Sequence, residues 1–281
     1  MDLDLRYIIG IIVVILVIIV AAAAYAGVFT KPSKITIAGS TSVQPIAQAL
    51  ADQYHKENPK VNITVQGGGS AVGLSSVQQG TANIGTYSSN LTNATANANY
   101  SGSAITQYHI CNDGLIIVVN PSNNVSGITS DQAKQIFAGN ITTWNTVGGN
   151  SSKIDIFVRE AGSGTRTAFT TLVMNGSNFT TTAIIQSSSN AIFQSVAGDP
   201  NGIGFDTLAS ISPNVKALSV NGVAPSQATV KDNTYPIVRP FLFLTKGTPT
   251  GATLDFINWS LSPEGQKLIQ QNGGVPVNPT S

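Results

Sequence analysis

Three times along this chain a short β-branched run gives way to a turn of Gly, Ser and Thr and then to a run with helical spacing. No other feature of the sequence limits the fold as much. The first case is Ile35 to Ala38 followed by Gly39-Ser40-Thr41-Ser42, and the second is Val61 to Val65 followed by Gln66-Gly67-Gly68-Gly69-Ser70. The third is Ile154 to Val158 followed by Arg159-Glu160-Ala161-Gly162-Ser163-Gly164-Thr165-Arg166. Strands alternating with helices predict an α/β fold with mainly parallel sheets. A helix N-terminus carries unpaired N–H groups and about half a positive charge, so several aimed at one point bind an anion without a cluster of cations. An N-cap with no ligand accounts for any one of these turns. The three together point to a seat for a tetrahedral oxyanion, and Arg159 can complete it with two parallel N–H bonds.

The rest of the chain continues the alternation. Pro45 reads as an early helical residue, and Ile46, Ala47, Leu50 and Tyr54 form an apolar stripe ending before Asn58-Pro59. Val72, Leu74 and Val77 mark a short helix, and Ala82 to Gly85 a brief strand leading to a further hydroxyl cluster, Thr86-Tyr87-Ser88-Ser89. Asn90 to Ser103 is polar and reads as a loop, whereas Leu115 to Val119 is apolar throughout, as in a strand buried on both faces. Thr129 or Ser130 caps a helix with Ala133, Ile136 and Phe137 on one face and Gly139 at its end. The helix opened near Thr165 presents Ala168, Phe169, Leu172 and Val173 on one face. A helix around Ala191 to Val196, a strand at Ile203 to Phe205 and a long strand run from Tyr235 to Leu244 follow. Helices around Leu254 to Trp259 and from Pro263 onward close the chain.

Composition removes several classes of function. Charged residues are 10% of the 281 and net charge is +1, so the chain has no basic stripe of the kind duplex nucleic acid demands. Its one cysteine, Cys111, leaves no internal disulfide, and with His55 and His109 as the two histidines no His/Cys metal cluster can be assembled. No metal or cofactor is assigned. Scarce charge also predicts that stability changes little on acidification, because few carboxylate pairs are there to be lost.

Tyr7 to Phe29 is apolar without a charge and long enough for a helix to cross a hydrocarbon core of about 30 Å. It reads as an uncleaved membrane anchor. A cleaved signal peptide, with Ala24-Tyr25-Ala26 as the small-residue site, is the rival reading, although such apolar regions usually run about 7 to 15 residues. Asn-X-Ser/Thr acceptors at Asn62, Asn90, Asn93, Asn99, Asn124, Asn140, Asn150, Asn175, Asn178 and Asn258 support an outward-facing, glycosylated body.

With these residues in view, the sequence from Ile35 to Val277 resembles the phosphate-binding proteins of ABC-type phosphate importers. The resemblance is carried by Ala38-Gly39-Ser40-Thr41-Ser42, Gly69-Ser70, Asn83-Ile84-Gly85, Asp113-Gly114 and Val119-Asn120-Pro121. It continues through Ile136-Phe137-Ala138-Gly139 with Trp144, Arg159 to Arg166, Gly202-Ile203-Gly204-Phe205, Tyr235-Pro236 with Arg239-Pro240, and Leu261-Ser262-Pro263-Glu264-Gly265-Gln266. It implies an α/β, two-lobed fold of the periplasmic-binding-protein type (type II) with a two-strand hinge, preceded by the N-terminal transmembrane helix. The implied division is 1–33 as anchor and linker, 34–114 plus 239–281 as the first lobe, and 115–238 as the second.

The implied function is a monomeric receptor outside the membrane, held by its N-terminal helix, that captures inorganic phosphate between its lobes and delivers it to the membrane subunits of an ABC permease. Carried over position by position, the ligand contacts are Thr41, Ser42, Ser70 and Ser88 from one lobe and Arg159, Ser163, Gly164 and Thr165 from the other. Glu160 and Arg166 read as a solvated pair or as a pair that orients Arg159. One departure bears on selectivity. Family members often carry an Asp where Ser88 stands, accepting the phosphate proton, and another where Asn83 stands. A hydroxyl can donate as well as accept, so it separates phosphate from sulfate less sharply. A receptor for sulfate, molybdate or tungstate, a surface sensor or adhesin of the same fold, and a hydrolase using Ser70 or Ser163 stay open beside the phosphate reading.

Overall fold

A computed structural model of the chain describes residues 5–28, 32–97 and 104–277. Outside them lie linker positions 29–31 and positions 98–103 of the expected loop, including Asn99. The chain opens with α1 (Leu5–Val28), one continuous helix. Its described side chains, Tyr7 and those at 9–19, are exposed, and the others lie outside the description. Among the described residues no helix is long and apolar enough to cross a membrane. The anchor is therefore carried by the sequence alone.

Next come β1 (Ser33–Gly39), α2 (Gln44–Glu57), β2 (Val61–Gln66), α3 (Ser70–Gln79) and β3 (Ile84–Tyr87). Here β2 and β3 flank β1, both parallel to it. A single-turn α4 (Asn93–Ala96) leads to β4 (Ile105–Val119), β5 (Gly127–Ile128), α5 (Ser130–Phe137), β6 (Asp155–Arg159), α6 (Gly164–Leu172), β7 (Ile184–Gln186), α7 (Ser189–Gly198) and β8 (Gly202–Thr207). The chain closes with β9 (Lys216–Ala217), β10 (Ser219–Val220), α8 (Gln227–Lys231), β11 (Val238–Lys246), α9 (Gly251–Leu261), α10 (Pro263–Gln271) and β12 (Val275–Pro276).

The main sheet runs β2-β1-β3-β11-β4-β8-β6-β7, parallel toward both ends and antiparallel in the middle. The expectation of mainly parallel pairing fails there because β4 and β11 run against their neighbours. β4 is also ten residues longer at its start than the apolar run from Leu115 suggests. Its first part, Ile105 to Gly114, pairs with β11, and its last part, Leu115 to Val119, pairs with β8. One strand thus changes partner within the sheet, and the two lobes meet along it. The polar residues Thr106, Gln107 and His109 hid this strand from periodicity, since pairing with β11 rather than burial holds them.

Smaller departures have equally local causes. Thr86 and Tyr87 belong to β3, paired with β1 and β11, and not to a turn. Tyr235 to Ile237 precede β11, because Pro236 has no N–H to offer a ladder. Leu172, the last residue of α6, is exposed at 40% while Ala168, Phe169 and Val173 are buried, and Val72 is likewise exposed.

Each lobe has its own core. Ile35, Ile37, Leu50, Phe243 and Phe256 are buried together in one, and Phe137, Phe169 and Phe205 in the other, where the Phe169 and Phe205 rings stack 3.8 Å apart. Full burial of one such side chain stabilises by about 1.5–3 kcal/mol.

Between the cores lies a buried pair, Asp113 on β4 and Arg239 on β11, with Arg239 Nε donating to Asp113 Oδ2 at 2.9 Å. Burial outweighs the pull of Arg239, the Thr207 hydroxyl and the Ala209 N–H, and holds the Asp113 carboxyl above the ordinary carboxylate range. A carboxyl whose folded pKa exceeds its unfolded value binds protons more readily in the folded chain, so its contribution is fully present below the unfolded pKa and lost as pH rises through the folded one. Asp232, fully exposed and lowered by Thr234, acts oppositely but only below the ordinary carboxylate range. The melting temperature is therefore expected to hold or rise from neutral pH down to about pH 4, where ordinary carboxylates begin to titrate. Calorimetric scans across that range check this, and a steep fall before pH 4 would count against it.

Candidate functional site

The expected residues gather where the lobes meet, and each is placed by the end of a strand or the start of a helix. Ser40, Thr41 and Ser42 turn the chain from β1 into α2, and Ser42 is buried. Ser70 is the first residue of α3 and Ser88 follows β3, both buried. From the other lobe, Arg159 ends β6, Ser163 caps α6 by accepting from the Arg166 N–H, and Gly164 and Thr165 begin that helix.

Arg159 is 1% exposed and all its N–H groups are engaged. Nε and Nη2 donate to the two carboxylate oxygens of Glu160 at 2.9 and 3.0 Å. Nη2 also reaches Thr41 Oγ1 at 3.0 Å, and Nη1 reaches Ser189 Oγ and Asp206 Oδ2, both at 3.1 Å. Burial works against the guanidinium charge, but Asp206 and Glu160 outweigh it and raise its pKa. Arg166 donates to the Arg159 carbonyl at 2.6 Å and lies over the Phe179 ring. Glu160 and Arg166 therefore hold Arg159 by its side chain and its backbone respectively, as an orienting pair would.

Hydroxyls make many of the contacts at the junction, both across the lobes and within the first one. Ser42 Oγ lies 2.8 Å from Thr165 Oγ1 and 3.0 Å from Ser189 Oγ, and it donates to Asp206 Oδ1 at 3.1 Å. Ser88 Oγ accepts from Ser40 Oγ at 2.8 Å and lies 3.3 Å from Ser70 Oγ. The backbone joins as well, with the Ala71 N–H donating to the Gly162 carbonyl at 3.0 Å. Gly164 packs so closely that a Cβ there would stand 2.3 Å from Ser70 Oγ and 2.7 Å from Ser88 Oγ. Arg239 spans the junction, its Nη1 donating to the Ser88 carbonyl at 3.1 Å and to Thr165 Oγ1 at 2.7 Å. A cleft of about 390 Å³, lined in part by Thr41, Ser188, Ser189 and Phe193, opens onto the Arg159 partners.

Four residues of this arrangement were not singled out from the sequence as site residues: Ser40, Ser189, Asp206 and Arg239. Ser189 had a signal. The segment from Ile184 through Ser187-Ser188-Ser189 is a fourth strand, hydroxyl turn and helix start, and α7 brings another N-terminus to the same place. Asp206 had none, being one acid inside the fully buried strand β8. Asn83 is structural, its Oδ1 accepting from the Thr36 N–H at 2.8 Å. His55 Nδ1 lies 2.7 Å from the Val61 carbonyl and His109 Nε2 lies 2.9 Å from Asn112 Oδ1, both on the surface, so neither faces Ser70 or Ser163 as a base. Among the described residues no group of His, Cys, Asp and Glu could hold a metal ion.

The arrangement can hold an anion. Helix starts from α3, α6 and α7 and the turn before α2 supply backbone N–H groups and positive dipole ends, hydroxyls supply rotatable donors, and Arg159 supplies charge. Arg159, Arg166 and Arg239 are matched by Glu160, Asp206 and Asp113, so a bound anion is met mainly by dipoles and directed hydrogen bonds.

Comparison with known proteins agrees with this geometry. Residues 25–264 match the model of the PBP superfamily domain. The phosphate-binding protein PstS of Bacillus subtilis is 33% identical over 245 residues, covering 86% of this chain and 80% of that protein. PstS of Borreliella burgdorferi is 26% identical over 86% of this chain and 90% of its own length. A crystal structure from Clostridium perfringens, assigned as a phosphate ABC transporter substrate-binding protein and solved with bound phosphate, superposes with a TM-score of 0.82 at 31% identity, covering 88% of this chain and all of that one. An ABC-type phosphate transport receptor from Vibrio cholerae superposes at 0.70 with 35% identity, covering 86% of this chain and 99% of its own.

Proposed function

The chain belongs to the PBP superfamily, within the family of the phosphate-binding PstS proteins, and from that premise we propose that it is an extracytoplasmic receptor that closes its lobes over inorganic phosphate and delivers it to an ABC-type permease. The observation that carries the reading is the convergence of hydroxyls from both lobes, Thr41 and Ser189 on Arg159 and Ser42 on Thr165, at a meeting of helix starts. Thr41, Ser42, Ser70, Ser88, Arg159, Ser163, Gly164 and Thr165 are the proposed phosphate contacts. An entering phosphate exchanges their mutual hydrogen bonds for bonds to its oxygens, with Arg159 turning Nη1 and Nη2 from hydroxyl partners toward the anion. Binding, not bond cleavage, is the outcome, since the serines at the site have no histidine to take their protons.

The lobes divide as 34–114 plus 239–281 and 115–238, supported by the change of partner along β4 at Gly114/Leu115 and by β11 starting at Val238. Those two strands form the hinge. The receptor acts as a monomer, tethered by α1 as a single transmembrane helix outside the cytoplasm. The charge-free apolar run from Tyr7 to Phe29 in the sequence is what supports the tether. The exposed acceptors Asn62, Asn90, Asn93, Asn124, Asn140, Asn150, Asn175, Asn178 and Asn258 are its candidate glycan sites.

Calorimetric competition titration of the full chain with phosphate, sulfate and molybdate tests the ligand. Phosphate is expected to bind tightest. Equal or tighter binding of sulfate or molybdate would reassign the receptor to another tetrahedral oxyanion.

A further inference from the structure

The carboxylate that separates phosphate from sulfate need not come from position 88. We propose that Asp206, supplied by the second lobe, is the specificity-determining acceptor of this site, an inference that rests on the phosphate reading above. Asp206 is fully buried at the end of β8 and touches two of the proposed phosphate contacts. Its Oδ1 accepts from Ser42 Oγ at 3.1 Å and from the Thr207 N–H at 2.8 Å, and its Oδ2 accepts from Arg159 Nη1 at 3.1 Å.

The other groups lining the junction donate or can do either. Arg159 and the backbone amides donate, and Thr41, Ser42, Ser70, Ser88, Ser163 and Thr165 are hydroxyls that rotate to suit. The other two carboxylates have different partners. Glu160 grips the Nε edge of Arg159, and Asp113 is committed to Arg239 and to Thr207 Oγ1. Among the described side chains that touch both Ser42 and Arg159, Asp206 is therefore the one acceptor-only group.

When Arg159 Nη1 turns toward an anion oxygen, Asp206 Oδ2 is left beside that anion in a buried place. Two acceptors facing each other without a proton are costly there. Hydrogen phosphate resolves the conflict, because its P–O–H donates to the Asp206 carboxylate while its other oxygens accept from Arg159, the hydroxyls and the amides. Sulfate has no proton to give at neutral pH, so one of its oxygens faces Asp206 unpaired. Ser88, where the acidic residue is missing, imposes no such demand.

The test is calorimetric titration of the full chain at neutral pH with inorganic phosphate and with sulfate, for wild type, Asp206→Asn and Asp206→Asn/Ser88→Asp, with a thermal melt of each. Wild type is expected to bind phosphate at least tenfold tighter than sulfate. Asp206→Asn, whose amide can donate, is expected to narrow that ratio at least tenfold, chiefly by strengthening sulfate, and the double variant to widen it again. An unchanged ratio in Asp206→Asn, with both anions weakened alike, would make Asp206 only a support for Arg159 and overturn the proposal. Equal binding of the two anions by wild type would overturn it without any variant. A wild-type chain that binds neither would remove the phosphate reading itself, a result distinct from both.

Discussion

Arg159→Ala is expected to weaken phosphate binding by about 2 to 5 kcal/mol, roughly 30- to 5000-fold, the usual loss when a buried, hydrogen-bonded charge is removed from its partner. The magnitude follows from where Arg159 stands. It is held from behind by Glu160 and by the contact of Arg166 with its carbonyl, and it presents Nη1 and Nη2 toward hydroxyls of both lobes. Little reorganisation is needed for those two nitrogens to take an anion instead. The same substitution strips Asp206 of its buried countercharge, which typically costs about 3 to 5 kcal/mol of stability. Melting curves must therefore accompany the titration. Arg159→Lys separates the two effects: it keeps a positive charge near Asp206 but loses the planar fork, so stability should largely survive while affinity falls. A dissociation constant unchanged in a folded Arg159→Ala protein would place the anion elsewhere.

Gly164→Ala should block closure rather than folding. Gly164 lies in the first turn of α6, where alanine is a good helix former, so the second lobe by itself gains or loses little. Across the junction, the added Cβ would meet Ser70 Oγ at 2.3 Å and Ser88 Oγ at 2.7 Å, far inside van der Waals contact. Overpacking of this kind costs about 1 to 3 kcal/mol, or roughly 5- to 150-fold in affinity when only the closed form is affected. Solution scattering should show that saturating phosphate contracts the wild type more than the variant. Ser70→Ala in the same chain removes the nearer oxygen and should restore part of the compaction. Full compaction and unchanged affinity in Gly164→Ala would show that the lobes close with more room than the contact implies.

Most of the framework was legible before any coordinates. The hydroxyl turns after Ile37, Val65 and Val158 announced the starts of α2, α3 and α6 because Gly, Ser and Thr release a strand, although of the three helices only α6 has a side-chain cap, from Ser163. What periodicity missed was long-range. The first ten residues of β4 are polar and carry no strand pattern, and β11 holds them in place. Leu172 counts as apolar on its helix face, yet the packing of Phe169 on Phe205 leaves it outside.

The sequence by itself determined the α/β class, the uncharged run from Tyr7 to Phe29 and the lack of an internal disulfide partner for Cys111, and it pointed to an oxyanion seat at the Arg159 to Arg166 turn. These follow from local chemistry, from which residues can cap, turn, span or donate. Only the tertiary structure decided what faces that turn. It set Ser42 on Thr165, brought the α7 start with Ser189 to the same point, and tied Arg239 to both Ser88 and Thr165. It also set Asp206 against Arg159 and Ser42, residues 47 and 164 positions away in the chain, and no local pattern encodes so distant a pairing. Whether an acid in a buried strand is a counter-ion or a selector depends on which donors the fold leaves beside it.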